Sequence, residues 1–206
     1  FIIKIMRKSC QKSFLKAQIS ILDFLRKEKA KVNVPKIIKS MLGNNFEVVL
    51  DLNNDERIVW ILEKIEGILF SEVFPKSKNL MFDLGVKAAI LDITSKKFTK
   101  DIKVSINKWN LTKPLWIREY VSEIKDSNLE QIVCKTLEEF SKISSTLNNL
   151  PHFWIHNDLN DQNILVQLSS KGKSTVSGIL DFGDLSKSPT ICNVAICSAY
   201  LLILPK

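Results

Sequence analysis

Two polar clusters, each set against an apolar run, constrain this chain more than anything else in its sequence. The first, His156-Asn157-Asp158-Leu159-Asn160-Asp161-Gln162-Asn163, stands immediately before Ile164-Leu165-Val166. The second, Asp181-Phe182-Gly183-Asp184, directly follows the run from Val176 to Leu180. The polar stretch Ser169-Ser170-Lys171-Gly172-Lys173-Ser174 between the runs carries turn chemistry, so the spacing predicts a β-hairpin. A hairpin sets the start of its first strand beside the end of its second, which makes neighbours of Asn163 and Asp181 although they are eighteen positions apart. An amide oxygen and a carboxylate placed together are hard donors suited to Mg²⁺, an ion that keeps several waters and takes the rest of its shell from phosphate. With Asp158 available to orient an attacking hydroxyl, these are the polar groups that phosphoryl transfer requires.

Length and charge set the frame for such a site. The chain has 206 residues, enough for one sizeable core or a small lobe packed on a larger one. The net charge of +8 is concentrated: residues 1–40 hold eleven Lys or Arg against Asp23 and Glu28, and the remainder sums to −1. A basic arm of this kind binds nucleic acid or forms the solvated face of a helix near a phosphate site. Phe14, Ile19, Ile21, Leu22 and Leu25 give the stretch an apolar face at helical spacing, and it lacks interleaved aromatics for base stacking. The expectation is therefore a helix and no nucleic-acid partner.

Cys10, Cys134, Cys192 and Cys197 show no C-x-x-C or zinc-like spacing and read as reduced core thiols of a cytoplasmic protein. The apolar stretch Val194 to Leu204 is shorter than the about twenty residues that span a bilayer, so no membrane partner is expected, and it reads as a buried helix. Phe1 opens the chain inside a strand-like run, and the last residues leave an apolar stretch uncapped. Both ends predict a piece of a longer protein.

Along the chain, residues 1–6 read as a strand and 12–28 as a helix. Val32 to Ile38 reads as a connection, and Phe46 to Leu50 with Arg57 to Leu62 as a hairpin turned by Asn53-Asn54-Asp55. Beyond Gly67 the period becomes helical. Leu84, Ala88, Leu91 and Phe98 share a face of a helix over 82–98. A second helix runs from Leu129 to Leu147 and is stopped by Asn148-Asn149 and Pro151.

The pattern H-x-D-x-x-x-x-N followed by D-F-G-D resembles the aminoglycoside phosphotransferase and choline kinase branch of the protein-kinase-like fold. With Leu159-Asn160-Asp161 after Asp158, where Asn160-Asp161-Gln162 stands in place of the His-Pro-Gly of many relatives, with Gly178-Ile179-Leu180 before Asp181, and with Val194-Ala195-Ile196 and Ala199-Tyr200, the chain is more similar to the hydroxylysine kinases of that branch. The resemblance implies an α+β, two-lobe fold. Residues 1–66 would form an incomplete β-rich nucleotide-binding lobe with the hinge at 63–67, and residues 67–206 an incomplete, mainly helical catalytic lobe. The glycine-rich phosphate-covering loop would precede residue 1.

By the same resemblance, Asp158 takes or orients the proton of the acceptor hydroxyl, and His156 belongs to the catalytic loop as its prop rather than as an acid or base. Asn163 and Asp181 hold Mg²⁺. Lys4 contacts nucleotide phosphates, with Gln18 in the place of its usual glutamate partner. Glu63 and Ile65 present the hinge backbone to the base, and Asp184 supports the loop. Phe182 and Trp60 are core, and Trp109-Asn110-Leu111 resembles a helix start. Asn193 stands where relatives often carry an acidic residue. The implied reaction moves the γ-phosphoryl of GTP or ATP to the hydroxyl of 5-hydroxy-L-lysine. Homoserine, choline, ethanolamine or an aminoglycoside are the alternative acceptors. A kinase-like chain without catalysis is the alternative class, favoured by Gln18, and oligomeric state stays open.

Overall fold

The structure, a computed structural model, describes residues 1–104, 108–168 and 173–202. The chain begins with strand β1 (Ile2–Ile5) and helix α1 (Lys12–Lys27), then β2 (Ile37–Ile38), β3 (Glu47–Leu50) and β4 (Glu56–Leu62). β4 is the centre of an antiparallel sheet: β1 lies on one edge, with Lys4 opposite Trp60, and β2 and β3 share the other end to end. Alternation along β4 buries Ile58, Trp60 and Leu62 on one face. α1 turns Leu15, Ile19, Leu22 and Leu25, spaced by three and four residues, into the core. It ends on Arg26 and Lys27, cations suited to the negative end of the helix dipole, and on Lys29 in the left-handed conformation. The basic arm is thus largely the solvated side of a packed helix and its flanks. The segment read as a connection at 32–38 contains β2, too short to announce itself by period.

After β5 (Ile68–Leu69), helix α2 (Lys78–Ser95) starts four residues earlier than its apolar period suggests, because the Ser77 hydroxyl accepts from the Leu80 N–H at 3.2 Å and caps it. Phe82, the expected first residue, is a surface position, and Phe98 is buried just beyond the helix. There its ring bridges the layers, 5.1 Å from Phe24 of α1 and 6.4 Å from Trp154. A 3₁₀ segment, Pro114–Glu123, leads to α3 (Ser127–Asn148), capped by Asp126. Strands β6 (Phe153–Ile155), β7 (Ile164–Leu168) and β8 (Ser174–Ile179) follow, then β9 (Ser186–Ser188) and α4 (Thr190–Leu202). β7 and β8 form the expected hairpin, extended by β5, while β6 pairs with β9. Most of the hairpin's turn, residues 169–172, and the end of the apolar stretch at Leu204 lie outside the described residues.

Two expectations from the sequence, those for α4 and for the cysteines, need correction. α4 is not a buried helix: Cys192, Asn193 and Cys197 face inward while Ile191, Val194, Tyr200 and Leu202 are exposed. α3 buries only Leu137, so its apolar period marks an amphipathic helix whose Leu129, Ile132 and Ile143 lie at the surface. Only Cys192 and Cys197 are core thiols, since Cys10 is half-buried and Cys134 exposed. Among the described residues, no helix is long and apolar enough to cross a membrane.

Gly67, between β4 and β5, sits under tight contact. At φ +151° a Cβ there would stand 2.6 Å from Ser177 Oγ and 3.0 Å from Val166 O, and Ser177 Oγ itself donates to Glu66 O at 3.0 Å. Gly67→Ala should lower unfolding free energy by about 1–3 kcal/mol, the usual cost of overpacking combined with backbone strain. Urea unfolding read by circular dichroism checks this, and an unchanged midpoint would show that the β7–β8 surface yields freely.

Candidate active site

The hairpin prediction holds where it matters. Ile164 faces Ile179, and the Leu180 N–H donates to Asn163 O at 2.7 Å, so the two ends of the hairpin deliver Asn163 and Asp181 side by side. Both flanking turns use left-handed residues, Asn157 at φ 64° and Asp181 at φ 51°. Non-glycine residues hold such angles at a cost that the surroundings must offset, and they gather at functional sites.

Within the loop the bonds assign each group its orientation. Asn160 Nδ2 donates to Asp158 Oδ1 at 2.9 Å, and Asn163 Nδ2 donates to Asp158 Oδ2 at 2.8 Å and to Asp158 O at 2.9 Å. With its amide nitrogen committed, Asn163 has only Oδ1 left to offer, an acceptor suited to a hard cation. Asp181 Oδ1 accepts from the Gly183 N–H at 3.1 Å and pairs with Lys4 Nζ at 3.0 Å, which leaves Oδ2 for a ligand. Burial first, and then the charges of Asp184 and Asp181, push the Asp158 carboxyl upward, with the Asn160 and Asn163 amides opposing. A carboxyl so raised sits nearer the range useful to a general base. The same three carboxylates make a negative focus that a cation relieves. Among the described residues no group of three or more His, Cys, Asp or Glu side chains could hold a metal. The donor set therefore fits an ion that relies on water and phosphate for most of its shell.

His156 is buried and its neighbours fix its tautomer. Nε2 lies 2.6 Å from Leu180 O, so it carries the proton, while Nδ1 accepts from the Asp158 N–H at 3.2 Å. A second ring proton would face that N–H. Burial is the main reason the ring's pKa falls to about 4, against the opposing pull of Leu180 O, Asp181 and Asp184. This neutral ring ties the loop of Asp158 to the end of β8 and packs 4.6 Å from the ring of Phe182, which is core as expected.

A cleft of about 710 Å³ is lined by Lys4, Gln18, Trp60, Trp109, Asp158 and Asp181, among others. Lys4 takes Asp181 as its partner, and Gln18, buried on α1, has an Nε2 with no hydrogen-bond partner. Glu63 and Ile65 lie elsewhere, in a neighbouring recess of about 420 Å³. There the Glu63 N–H is bonded to Lys36 O at 2.7 Å and the Ile65 side chain covers Gly178. Trp60 is core, but Trp109 is 65% exposed at the cleft and does not begin a helix.

The sequence reading missed the buried amides behind the loop. Asn110 Oδ1 accepts from Thr112 Oγ1 at 2.7 Å and Ser188 Oγ at 2.8 Å, and its Nδ2 donates to Ser186 Oγ at 2.8 Å. These bonds fasten the cleft's Trp109 segment to β9. No local pattern announces them, because every partner but Thr112 is more than seventy positions away.

Two buried titrating groups make opposing acid responses. Burial raises Asp92 from 3.8 to about 6, with Asn193 and Lys96 opposing, whereas His156 falls from 6.5 to about 4. As pH drops from 6.5 to 4 the unfolded chain takes a proton at His156 that the folded chain refuses, so stability is lost. From pH 6 to 3.8 the folded chain takes one at Asp92 before the unfolded chain does, so stability is gained. Each linkage is about 3 kcal/mol and the two largely cancel. Asp92→Asn removes only the gain, so the variant should lose about 3 kcal/mol more than the parent between pH 7 and 4. Urea titrations at both pH values test this, and parallel pH profiles would refute the Asp92 assignment.

A family model described as the phosphotransferase enzyme family matches residues 1–203. Hydroxylysine kinase of Xenopus laevis is 28% identical over 202 residues, covering 92% of this chain and 54% of that protein. Hydroxylysine kinase of Mus musculus is 33% identical over 158 residues, covering 71% and 41%. The chain spans about half the length of the curated relatives it matches. An amicoumacin kinase solved with AMP-PNP, Ca²⁺ and Ami superposes with a TM-score of 0.69 at 16% identity, covering 99% of this chain and 59% of that one. That likeness identifies the protein-kinase-like, α+β fold.

Proposed function

Because the chain belongs to the phosphotransferase enzyme family, we propose that its cleft is the catalytic centre of a cytoplasmic small-molecule kinase whose acceptor is 5-hydroxy-L-lysine. The observation that carries the reading is the convergence of Lys4, Asp158, Asn163 and Asp181. Asp158 orients the acceptor hydroxyl and receives its proton as the oxygen attacks. Asn163 Oδ1 and the Asp181 carboxylate would hold Mg²⁺, which would supply positive charge to offset that of the nucleotide phosphates. Lys4, now on Asp181, is placed to turn to a nucleotide phosphate. His156 holds the loop. Glu63 and Ile65 would offer the base hinge backbone other than the Glu63 N–H, which Lys36 O already takes, and Gln18 lines the cleft with Lys4. Hydroxylysine as acceptor is supported by similarity to the hydroxylysine kinases, and GTP as donor, with ATP the alternative, by the sequence resemblance alone.

The test is a steady-state assay of the full-length protein with GTP or ATP and Mg²⁺, offering hydroxylysine, homoserine, choline, ethanolamine and an aminoglycoside separately. Hydroxylysine should show the highest kcat/KM. A higher value for another acceptor would reassign the substrate, and no transfer to any would sink the reading.

A further inference from the structure

Asn193, a buried amide without a place in the proposed chemistry, joins a carboxylate on α2 to the loop that carries Asp158. Asn193 is fully buried on α4, and its Nδ2 donates to Asp92 Oδ1 of α2 at 2.7 Å. Its Oδ1 accepts the Asn157 N–H at 3.2 Å. Asn157 adopts the left-handed conformation immediately before Asp158, and its own Nδ2 donates to Trp109 O at 3.2 Å. A carboxylate on α2 therefore reaches the catalytic loop through an amide on α4, and the loop passes the constraint on to the cleft wall at Trp109.

The direction of these bonds decides which residue types fit. With a carboxylate at position 92, the side chain at 193 must accept from a backbone N–H on one side and donate on the other, which an amide does and a carboxylate does not. Its donor needs an acceptor, and Asp92 supplies one. A carboxylate at both positions would set like charges together in a buried site, which is costly. The pair thus works as a complementary unit of one carboxylate and one amide. The other groups facing Asp92 are Lys96, one turn on in α2, and the Cys197 thiol of α4.

Resting on the kinase reading above, we propose that Asp92 and Asn193 are positioning residues for phosphoryl transfer, holding Asn157 in its left-handed turn so that Asp158 faces the acceptor hydroxyl. They touch neither substrate nor metal. Their loss misplaces Asp158 without removing a substrate contact, and a displacement of ~1 Å at a reacting group can lower turnover by about a hundredfold.

The experiment uses the full-length protein and four variants. Asp92→Ala strands the Asn193 amide and should lower kcat by at least about tenfold while both KM values stay within about twofold. Asp92→Asn keeps an acceptor oxygen and should retain most of kcat. Asn193→Asp sets a carboxylate against Asp92 and should lose at least about tenfold in kcat at pH 8. The exchanged pair D92N/N193D again has one carboxylate and one amide, and should return to within about threefold of the parent. Each is compared at a temperature where unfolding curves show it fully folded. A folded Asp92→Ala protein with parental kcat, or an exchanged pair no better than Asn193→Asp alone, overturns the proposal.

A second reading separates this inference from the kinase reading itself. The Asn157 N–H should exchange with deuterium at least about tenfold faster in Asp92→Ala than in the parent, whether or not any acceptor is phosphorylated. If the parent transfers no phosphoryl group the kinase reading fails. Unchanged exchange at Asn157 then overturns the loop-holding role as well, and accelerated exchange upholds it.

Discussion

Asp181→Ala in the full-length protein should abolish detectable phosphoryl transfer and the Mg²⁺-dependent part of nucleotide binding. The carboxylate has three tasks at one point in the chain: Oδ1 accepts from Gly183 N–H, pairs with Lys4 at 3.0 Å, and Oδ2 is left for the cation. On the proposed assignment, removing it takes away one of the two side chains that would hold Mg²⁺, and it frees Lys4 from its partner. The position is 48% exposed, at the end of a hairpin rather than inside the core, so the fold should persist. Some stability will still go, because an alanine has no side chain to bond Gly183 and tolerates φ 51° poorly. Asp181→Asn separates the effects, since it keeps the turn and loses the charge. Calorimetric titration of nucleotide with and without Mg²⁺ is the measurement. Both variants should bind with no dependence on the metal, and unchanged Mg²⁺-dependent affinity in either would remove the metal assignment.

Asp158→Asn should lower turnover by about two orders of magnitude or more, because the lost base acts chiefly in the transition state. The structure adds a second consequence. Both oxygens of Asp158 accept from amide nitrogens, Asn160 on one and Asn163 on the other. An asparagine at 158 can accept only at its single oxygen, so its NH₂ confronts one of those donors and one of the two must rotate. If Asn163 is the one to turn, the metal site is disturbed. Nucleotide affinity should therefore fall as well, by less than about tenfold. Asn160→Ala relieves the conflict on the Asn160 side, so D158N/N160A should recover nucleotide affinity but not turnover. Turnover near the parental value in Asp158→Asn would remove the base assignment altogether.

What the sequence determined by itself was whatever depends on period and on short spacing. Apolar alternation and turn residues placed β4 and the β7–β8 hairpin, and with them the meeting of Asn163 and Asp181. Helical spacing gave α1 its buried face, and the eight residues from His156 to Asn163 carried the chemistry of the loop because its internal bonds span no more than five positions. Burial and long-range partnership were decided only by the tertiary structure. The apolar spacing of α3 and α4 says that each has a face, not that anything covers it, and part of the α3 face and most of the α4 apolar residues are exposed. Lys4 was legible as a cleft lysine, but its partner was not, since Asp181 lies far away in sequence. The same holds for Asn193, which in the sequence is a departure from an acidic pattern and in the fold is the link between Asp92 and the catalytic loop, 101 and 36 positions away. A side chain's chemistry is local, but whether it is satisfied, charged or neutral depends on groups that only packing brings within 3 Å or so of it.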